Sequence, residues 1–172
     1  MEPDGSVAPR ASRQLNAVWA RFAIDLAACL GHLDDGEFLI VEYAPANYFV
    51  QFAHQGGFGM RAEAACNAYV DPSALLTTED YAMMRELGWW PATETAEQED
   101  SDERDEVGSP NFHLQFLAPV NWRAVANLTV LTFRDVYRIG HPARLQYASF
   151  SEDGTQVRFP TLRIRRRRAA QD

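Results

Sequence analysis

Lysine is absent from this chain of 172 residues, and all 16 of its basic side chains are arginine. The chain has 24 acidic residues, so its formal net charge is −8, which argues against nucleic acid as its main partner. Only two cysteines occur, Cys29 and Cys66, and both lie in apolar patterns. We therefore expect two buried free thiols and no disulfide.

Long apolar runs and the common catalytic motifs are also missing. No run approaches the ~20 residues that cross a bilayer, and the acidic N-terminus lacks the apolar stretch of a signal peptide. We therefore expect a cytoplasmic protein without a transmembrane segment. The sequence has no G-x-S-x-G motif and no phosphate-binding P-loop, and its four histidines are widely spaced. This pattern predicts a non-enzymatic protein with no catalytic set, no metal and no cofactor.

Hydrophobic residues make up 47% of the chain and aromatic residues 12%, as is typical of a packed globular protein. We expect a single α+β domain over residues 12–164, with a flexible acidic loop at about 92–109 and mobile termini at 1–11 and 165–172. The predicted fold is an antiparallel β-meander packed against two long helices, with a C-terminal β-hairpin. The first half of the chain is predicted to form a helix from Ser12 to about Leu33, followed by strands at 38–43, 48–53 and 60–66. The second half is predicted to form a short helix at 78–87, a second long helix from Asn121, and a hairpin of 145–150 and 157–164 across Asp153-Gly154.

The first helix shows a clear apolar stripe at spacings of three and four residues, and Ile24 lies off that stripe. Ile24 is therefore expected to be exposed. The stripe consists of Leu15, Val18, Trp19, Phe22, Leu26, Leu30 and Leu33.

Alternation in the meander predicts two faces for its strands, and one of them is mixed in polarity. This mixed face is the candidate partner-binding surface, because an open meander can bind an extended segment. The alternative is that the second long helix covers it. Glu63 is expected to pair with a neighbouring arginine across the sheet. The candidate residues are Phe49, Gln51 and Ala53 with Arg61, Glu63 and Asn67.

Two adjacent tryptophans, Trp89 and Trp90, complete the candidate site. At least one should pack beneath the meander, and the other is a candidate for an interaction surface.

Charge is uneven along the chain, with an acidic run from Glu94 to Glu106 and a basic run from Arg165 to Arg168. Both runs are typical of solvated segments. The alternatives are that the two attract each other, or that the arginines contact nucleic acid or anionic lipid.

Several short motifs, in order, resemble one protein family. The chain resembles the actinobacterial proteins described as YbjN-like and type III secretion chaperone-like peptide-binding chaperones (TY-Chap). This resemblance implies an α+β fold, often as a homodimer, that binds an extended or unfolded segment of a protein client without ATP. The motifs are YFVQF at 48–52, RAEAACN at 61–67, LGW at 87–89, PNF at 110–112, FRDVY at 133–137, HP at 141–142 and FPTL at 159–162.

The predicted function is therefore that of a chaperone or adaptor that holds an extended segment of a partner protein. Two alternatives stay open. One is a nucleic-acid or membrane-surface adaptor that acts through the arginine-rich tail. The other is an enzyme with a scattered site formed by Glu63, Asp135 and the histidines.

Overall fold

The structure, a computed structural model, describes residues 7–95 and 108–167. Three helices and one six-stranded sheet form its framework. The helices are α1 (Val7–Leu30), α2 (Thr78–Glu86) and α3 (Trp122–Leu131). The strands are β1 (Glu37–Tyr43), β2 (Tyr48–His54), β3 (Gly59–Ala64), β4 (Phe112–Leu117), β5 (Gln146–Ser151) and β6 (Arg165–Arg166).

The strands are ordered β4-β3-β2-β1-β5-β6 across the sheet. Every neighbouring pair is antiparallel except β5 and β6, which are parallel. The predicted α+β class and the three-stranded meander of β1 to β3 are confirmed.

The core lies between the helices and one face of the sheet. Val41 and Phe52 point to this face, and α1 packs against α3 above it. The predicted stripe of α1 faces this core: Trp19, Phe22, Leu26, Leu30 and Leu33 are all buried.

The start of α1 differs from the prediction. The helix begins at Val7 and not at Ser12, so residues 7–11, which were predicted to be mobile, are helical, and residues 1–6 lie outside the described residues. The side chain of Leu15 lies outside those that the structure describes. Ile24 is 43% exposed, as its position off the stripe predicts.

Side-chain caps explain where the two later helices begin. Thr77 and Asp80 form a capping box at the start of α2, each accepting the backbone N–H of the other. Asn121 accepts the N–H of Ala124 at the start of α3. After Leu131 the helix continues through a π turn, Thr132–Val136.

Strand β4 was missing from the sequence-based prediction, which assigned no element between the acidic loop at about 92–109 and the helix from Asn121. It pairs with β3 along its whole length, from Gly59 opposite Leu117 to Ala64 opposite Phe112. Gly59 is required there, because a Cβ atom at this position would lie 2.0 Å from the carbonyl oxygen of Phe116.

The predicted C-terminal hairpin is wrong beyond its turn. After the turn at Asp153-Gly154 the returning chain forms no ladder but a single bridge between Phe150 and Gln156, made by hydrogen bonds from Ser151 N to Thr155 O and from Val157 N to Ser149 O. Pro160 cannot donate a ladder hydrogen bond, and a 3-10 turn at Pro160–Leu162 directs the chain away. The chain then returns as β6, parallel to β5.

Parts of the acidic segment and of the C-terminal tail that were predicted to be flexible are ordered in the structure. Thr93 and Glu94 donate backbone hydrogen bonds to Ser109, so the two ends of the acidic segment are held together. Residues 96–107, which contain most of the acidic run, lie outside the described residues. At the C-terminus, Arg165 and Arg166 form β6 and Arg167 N donates to Tyr147 O, while 168–172 lie outside the described residues.

Cys29 and Cys66 are free and buried, as predicted. None of the helices in the described part of the chain is both long and apolar enough to cross a membrane.

Candidate functional site

The sheet face turned away from the helices is the candidate functional site, and we call it the open sheet face. Strand register places its side chains together: Gln51 lies opposite Glu63 and Ile40, and Glu63 lies opposite His113. The buried side of α3, which includes Val125, belongs to the core on the other face. The alternative in which the second long helix covers this surface is therefore wrong.

An apolar patch occupies the middle of the open sheet face. Phe38 on β1 and Phe150 on β5 are register partners, and their rings stack with centroids 5.4 Å apart. Ile40 and Ala53 lie beside them and, like them, are only partly buried. Together these residues line one side of a shallow cavity of about 220 Å³. Partly covered aromatic and aliphatic side chains of this kind are typical of a surface that a partner covers.

A compact polar cluster lines the other side of the same cavity. The Arg61 guanidinium donates to Glu63 at 2.9 Å and to the carbonyl oxygen of Gly108 at 2.8 Å. The Gln51 amide donates to the second Glu63 oxygen at 2.9 Å, and the Asn111 amide lies 3.5 Å from that oxygen. The partner of Glu63 is an arginine, as predicted. Arg61 lies two residues away on the same strand, however, and not across the sheet as expected. Because neither member of the pair is fully buried, this cluster can exchange hydrogen bonds with a bound peptide.

A second charged pair sits at the far end of the face. Glu42 on β1 is buried and accepts from Gln146 at 2.8 Å and from Arg167 at 3.1 Å. This contact, with a hydrogen bond from Arg167 N to Tyr147 O, holds the first part of the basic tail against the sheet. Arg168 lies outside the described residues.

Along the second half of β4, the backbone N–H and C=O groups at the outer edge pair with no other described segment. Trp90 pairs with His113 through two backbone hydrogen bonds, which occupies the first half of that edge. Beyond this bridge no segment among residues 7–95 and 108–167 pairs with β4 on that side. Because backbone groups alternate in direction along an antiparallel strand, those of Gln115 and Leu117 point out of the sheet.

Large apolar side chains mark this edge. Trp90 is 59% exposed and packs edge-on against His113, and Leu117 is 74% exposed. Phe58, in the turn that leads into β3, is 82% exposed. An unpaired strand edge with exposed apolar residues is a ready template for another strand.

Two of the predicted site residues do not belong to the open sheet face. Trp89 is 2% exposed, and its indole N–H donates to the Thr132 hydroxyl at 2.9 Å, so it is a core residue. This agrees with the expectation that one tryptophan packs inside. Asn67 lies beyond the end of β3, where its side chain exchanges two hydrogen bonds with the backbone of Leu76. Its role is to fix the loop, because the strand alternation stops at Ala64.

Of the remaining predicted residues, Trp90 lies at the outer edge of β4 and the others are on the open sheet face. Phe49 packs edge-on against Tyr69 with ring centroids 6.3 Å apart, at the margin of the face. Gln51, Ala53, Arg61 and Glu63 line the cavity. Sequence reasoning missed Phe38, Ile40 and Phe150. The alternation that assigned faces on β2 also exists in β1, but the β1–β5 pairing is not visible in the sequence.

The residues proposed for a scattered catalytic site are mostly apart. Glu63 and His113 are register partners, but the His113 ring nitrogen lies 3.2 Å from the carbonyl oxygen of Asn111, and Glu63 is bound to Arg61 and Gln51. Asp135 lies on the π turn after α3, paired with Arg134. Within the described residues no three histidine, cysteine or acidic side chains group as a metal site.

Among the described residues, a single sheet has helices on one side and a partly apolar face on the other. The chain belongs to the TY-Chap3 family, described as T3SS (YopN, CesT) and YbjN peptide-binding chaperone 3, whose model matches residues 12–151. It is thus a peptide-binding chaperone of the type III secretion and YbjN type, as the sequence motifs predict. No curated protein and no solved structure matches the chain.

Proposed function

We propose that the protein is a non-enzymatic chaperone or adaptor that holds an extended segment of a partner protein on the open sheet face. The observation that carries this proposal is the cavity between the Phe38–Phe150 stack and the Arg61–Glu63 pair, over which no other element of residues 7–95 and 108–167 packs. An extended segment alternates its side chains and exposes its backbone groups. The apolar half of this cavity suits its apolar side chains, and the polar half suits its backbone.

The open edge of β4 supports the same function. A client strand placed there would bond to the backbone groups of Gln115 and Leu117, and its alternate side chains would meet Trp90 and Leu117. Backbone hydrogen bonds can form with a segment of any sequence, whereas the apolar patch favours segments with apolar side chains. Together they describe a binder with broad tolerance and a preference for apolar segments.

A permanently unfolded protein, such as reduced and carboxymethylated α-lactalbumin, tests the proposal. Full-length protein should bind it with fixed stoichiometry in light scattering and fluorescence polarisation. Ile40→Asp places a charge on the apolar patch and should weaken binding by about tenfold or more, because an isoleucine contact is worth roughly 1.5–3 kcal/mol when fully buried. The matched control is Ile24→Asp, the same substitution at an exposed position on α1, which should leave binding unchanged.

A second pair of variants separates the edge from the face. Gln115→Pro removes an outward backbone N–H that the β3–β4 ladder does not use, so the fold should survive while strand addition is blocked. Gln115→Ala keeps this N–H and removes only the side-chain hydrogen bond to Gln55. Equal binding by all four variants and the unsubstituted protein would overturn the proposed function.

The family resemblance also leads us to propose a homodimer located in the cytoplasm. Light scattering of the purified protein and fractionation of cells test these two points separately.

A further inference from the structure

A groove on the helical side of the molecule, apart from the open sheet face, has the make-up of a small-molecule site. It lies between α1 and the 3-10 turns Pro142–Arg144 and Pro160–Leu162, with a volume of about 370 Å³. Small-molecule sites span roughly 300–1,000 Å³ and combine an apolar lining with few polar groups. The apolar lining here is Ala17, Val18, Phe22, Pro142, Ala143, Leu162 and Ile164.

The polar groups at this groove carry an excess of positive charge. Arg21 donates to Asp25 at 3.2 Å, and Arg163 lies 3.7 Å from the same carboxylate, which is itself buried. Two guanidinium groups thus share a single carboxylate. Both arginine side chains are more than half exposed, so an incoming anion can reach them. His141 adds another donor: its Nδ1 accepts the Ala143 N–H, so a neutral ring carries its proton on Nε2.

The backbone conformation of Arg163 also supports a ligand site at this groove. Arg163 has a φ of 57°, the left-handed conformation that glycine or asparagine adopts most easily. It directly follows the buried Leu162, which anchors the turn in the core. Strained non-glycine residues of this kind concentrate at functional sites. Here the strained position brings a guanidinium to the rim of an apolar groove.

We propose that this groove binds a long-chain carboxylic acid. The alkyl chain lies along Val18, Phe22 and Ile164, and the carboxylate accepts hydrogen bonds from Arg163 and Arg21. One negative charge on the ligand matches the one positive charge that Asp25 leaves unbalanced. This binding site is independent of peptide binding on the open sheet face.

Titration of the full-length protein with laurate, dodecanol and dodecylammonium, below their aggregation concentrations, tests the proposal by calorimetry and ¹⁵N–¹H chemical-shift mapping. Laurate should bind at least about tenfold more tightly than dodecanol, because its carboxylate gains charge-assisted hydrogen bonds. Dodecylammonium should bind more weakly than either, and shifts should centre on Ala17, Val18 and Ile164. Equal affinity for the acid and the alcohol, or shifts confined to the open sheet face, would overturn the assignment.

Two variants and one control assign the effect to the groove. Arg163→Gln keeps the Arg21–Asp25 pair and should remove the preference for laurate over dodecanol. Arg165→Gln makes the same change in net charge at an exposed position outside the groove and should retain the preference. Ala17→Trp should fill the groove and abolish binding of both ligands. If Arg163→Gln behaves like Arg165→Gln, or if an apolar peptide with a free C-terminal carboxylate occupies the groove and laurate does not, the proposal is wrong.

Discussion

Removing the Arg61 charge from the open sheet face should destabilise the protein, whereas removing the Glu63 charge with it should not. In Arg61→Met, Glu63 keeps the Gln51 amide but loses its ion pair, and the Gly108 carbonyl loses a donor. Breaking a fully buried pair costs about 3–5 kcal/mol, and an exposed pair contributes about 0–1 kcal/mol. The two side chains here are 18% and 13% exposed, so we expect a loss of about 1–3 kcal/mol in the free energy of unfolding.

The double variant Arg61→Met, Glu63→Met should unfold within about 1 kcal/mol of the unsubstituted protein, because neither member of the Arg61–Glu63 pair is left charged without the other. Urea unfolding followed by circular dichroism measures all three proteins. The same double variant should lose affinity for an unfolded client, since the polar half of the cavity is gone. A cost below about 0.5 kcal/mol for Arg61→Met, or a larger cost for the double variant than for the single one, would refute this reasoning.

Three further predictions concern the framework that supports the site. Trp89→Phe should lower the free energy of unfolding by about 1–3 kcal/mol in urea titrations, because the smaller ring leaves a space in the core and the Thr132 hydroxyl loses the indole donor while keeping its bond to Leu128 O; client affinity should not change. Thr77→Ala should cost about 1 kcal/mol by removing the α2 cap, and a neutral result would show that α2 does not depend on its capping box. Burial acts to raise the pKa of Asp80, but hydrogen bonds from Arg138 and Thr77 outweigh it, so this pKa is lowered. The stabilisation from this carboxylate is therefore present above pH ~3.8 and lost as pH falls through the lower, folded value. The stability difference between the unsubstituted protein and Asp80→Asn should shrink below that pH, and a constant difference would contradict the assignment.

Much of the fold could be predicted from sequence because its signals are local. The alternation around Val50 and Phe52 and the spacing from Trp19 to Leu30 each predict one element and the side that it buries. Asn121 marks the start of α3 as its N-cap, although this α-helix has only ten residues before the π turn. The order of these elements predicted the α+β class, which the structure confirms.

The errors arose where long-range pairing or chain direction decides the structure. The segment FHLQFL of β4 is too short to be distinguished from a loop until β3 lies beside it. The Asp153-Gly154 turn was correct, but Pro160 and the left-handed Arg163 direct the chain into a parallel strand. Both are consequences of tertiary packing and not of local preference.

Only part of the candidate site could be predicted from the sequence, because local patterns assign faces but do not show which strands pair. Alternation on β2 and β3 placed Gln51, Ala53, Arg61 and Glu63 on one face before any pairing was known. Phe38 and Phe150 lie more than 100 residues apart in the chain, so their stack depends on the β1–β5 register. Asn67 was assigned to the face because the alternating pattern continues past Ala64, where the strand itself ends.

Backbone amide protection on client binding tests the central claim most directly. Hydrogen exchange of the full-length protein, with and without saturating carboxymethylated α-lactalbumin, reports each amide separately. If an extended segment binds as proposed, the amides of Gln115 and Leu117 become protected and the resonances of Ile40, Ala53 and Phe150 shift. Protection confined to α1 and α3, with the open sheet face unchanged, would contradict the account.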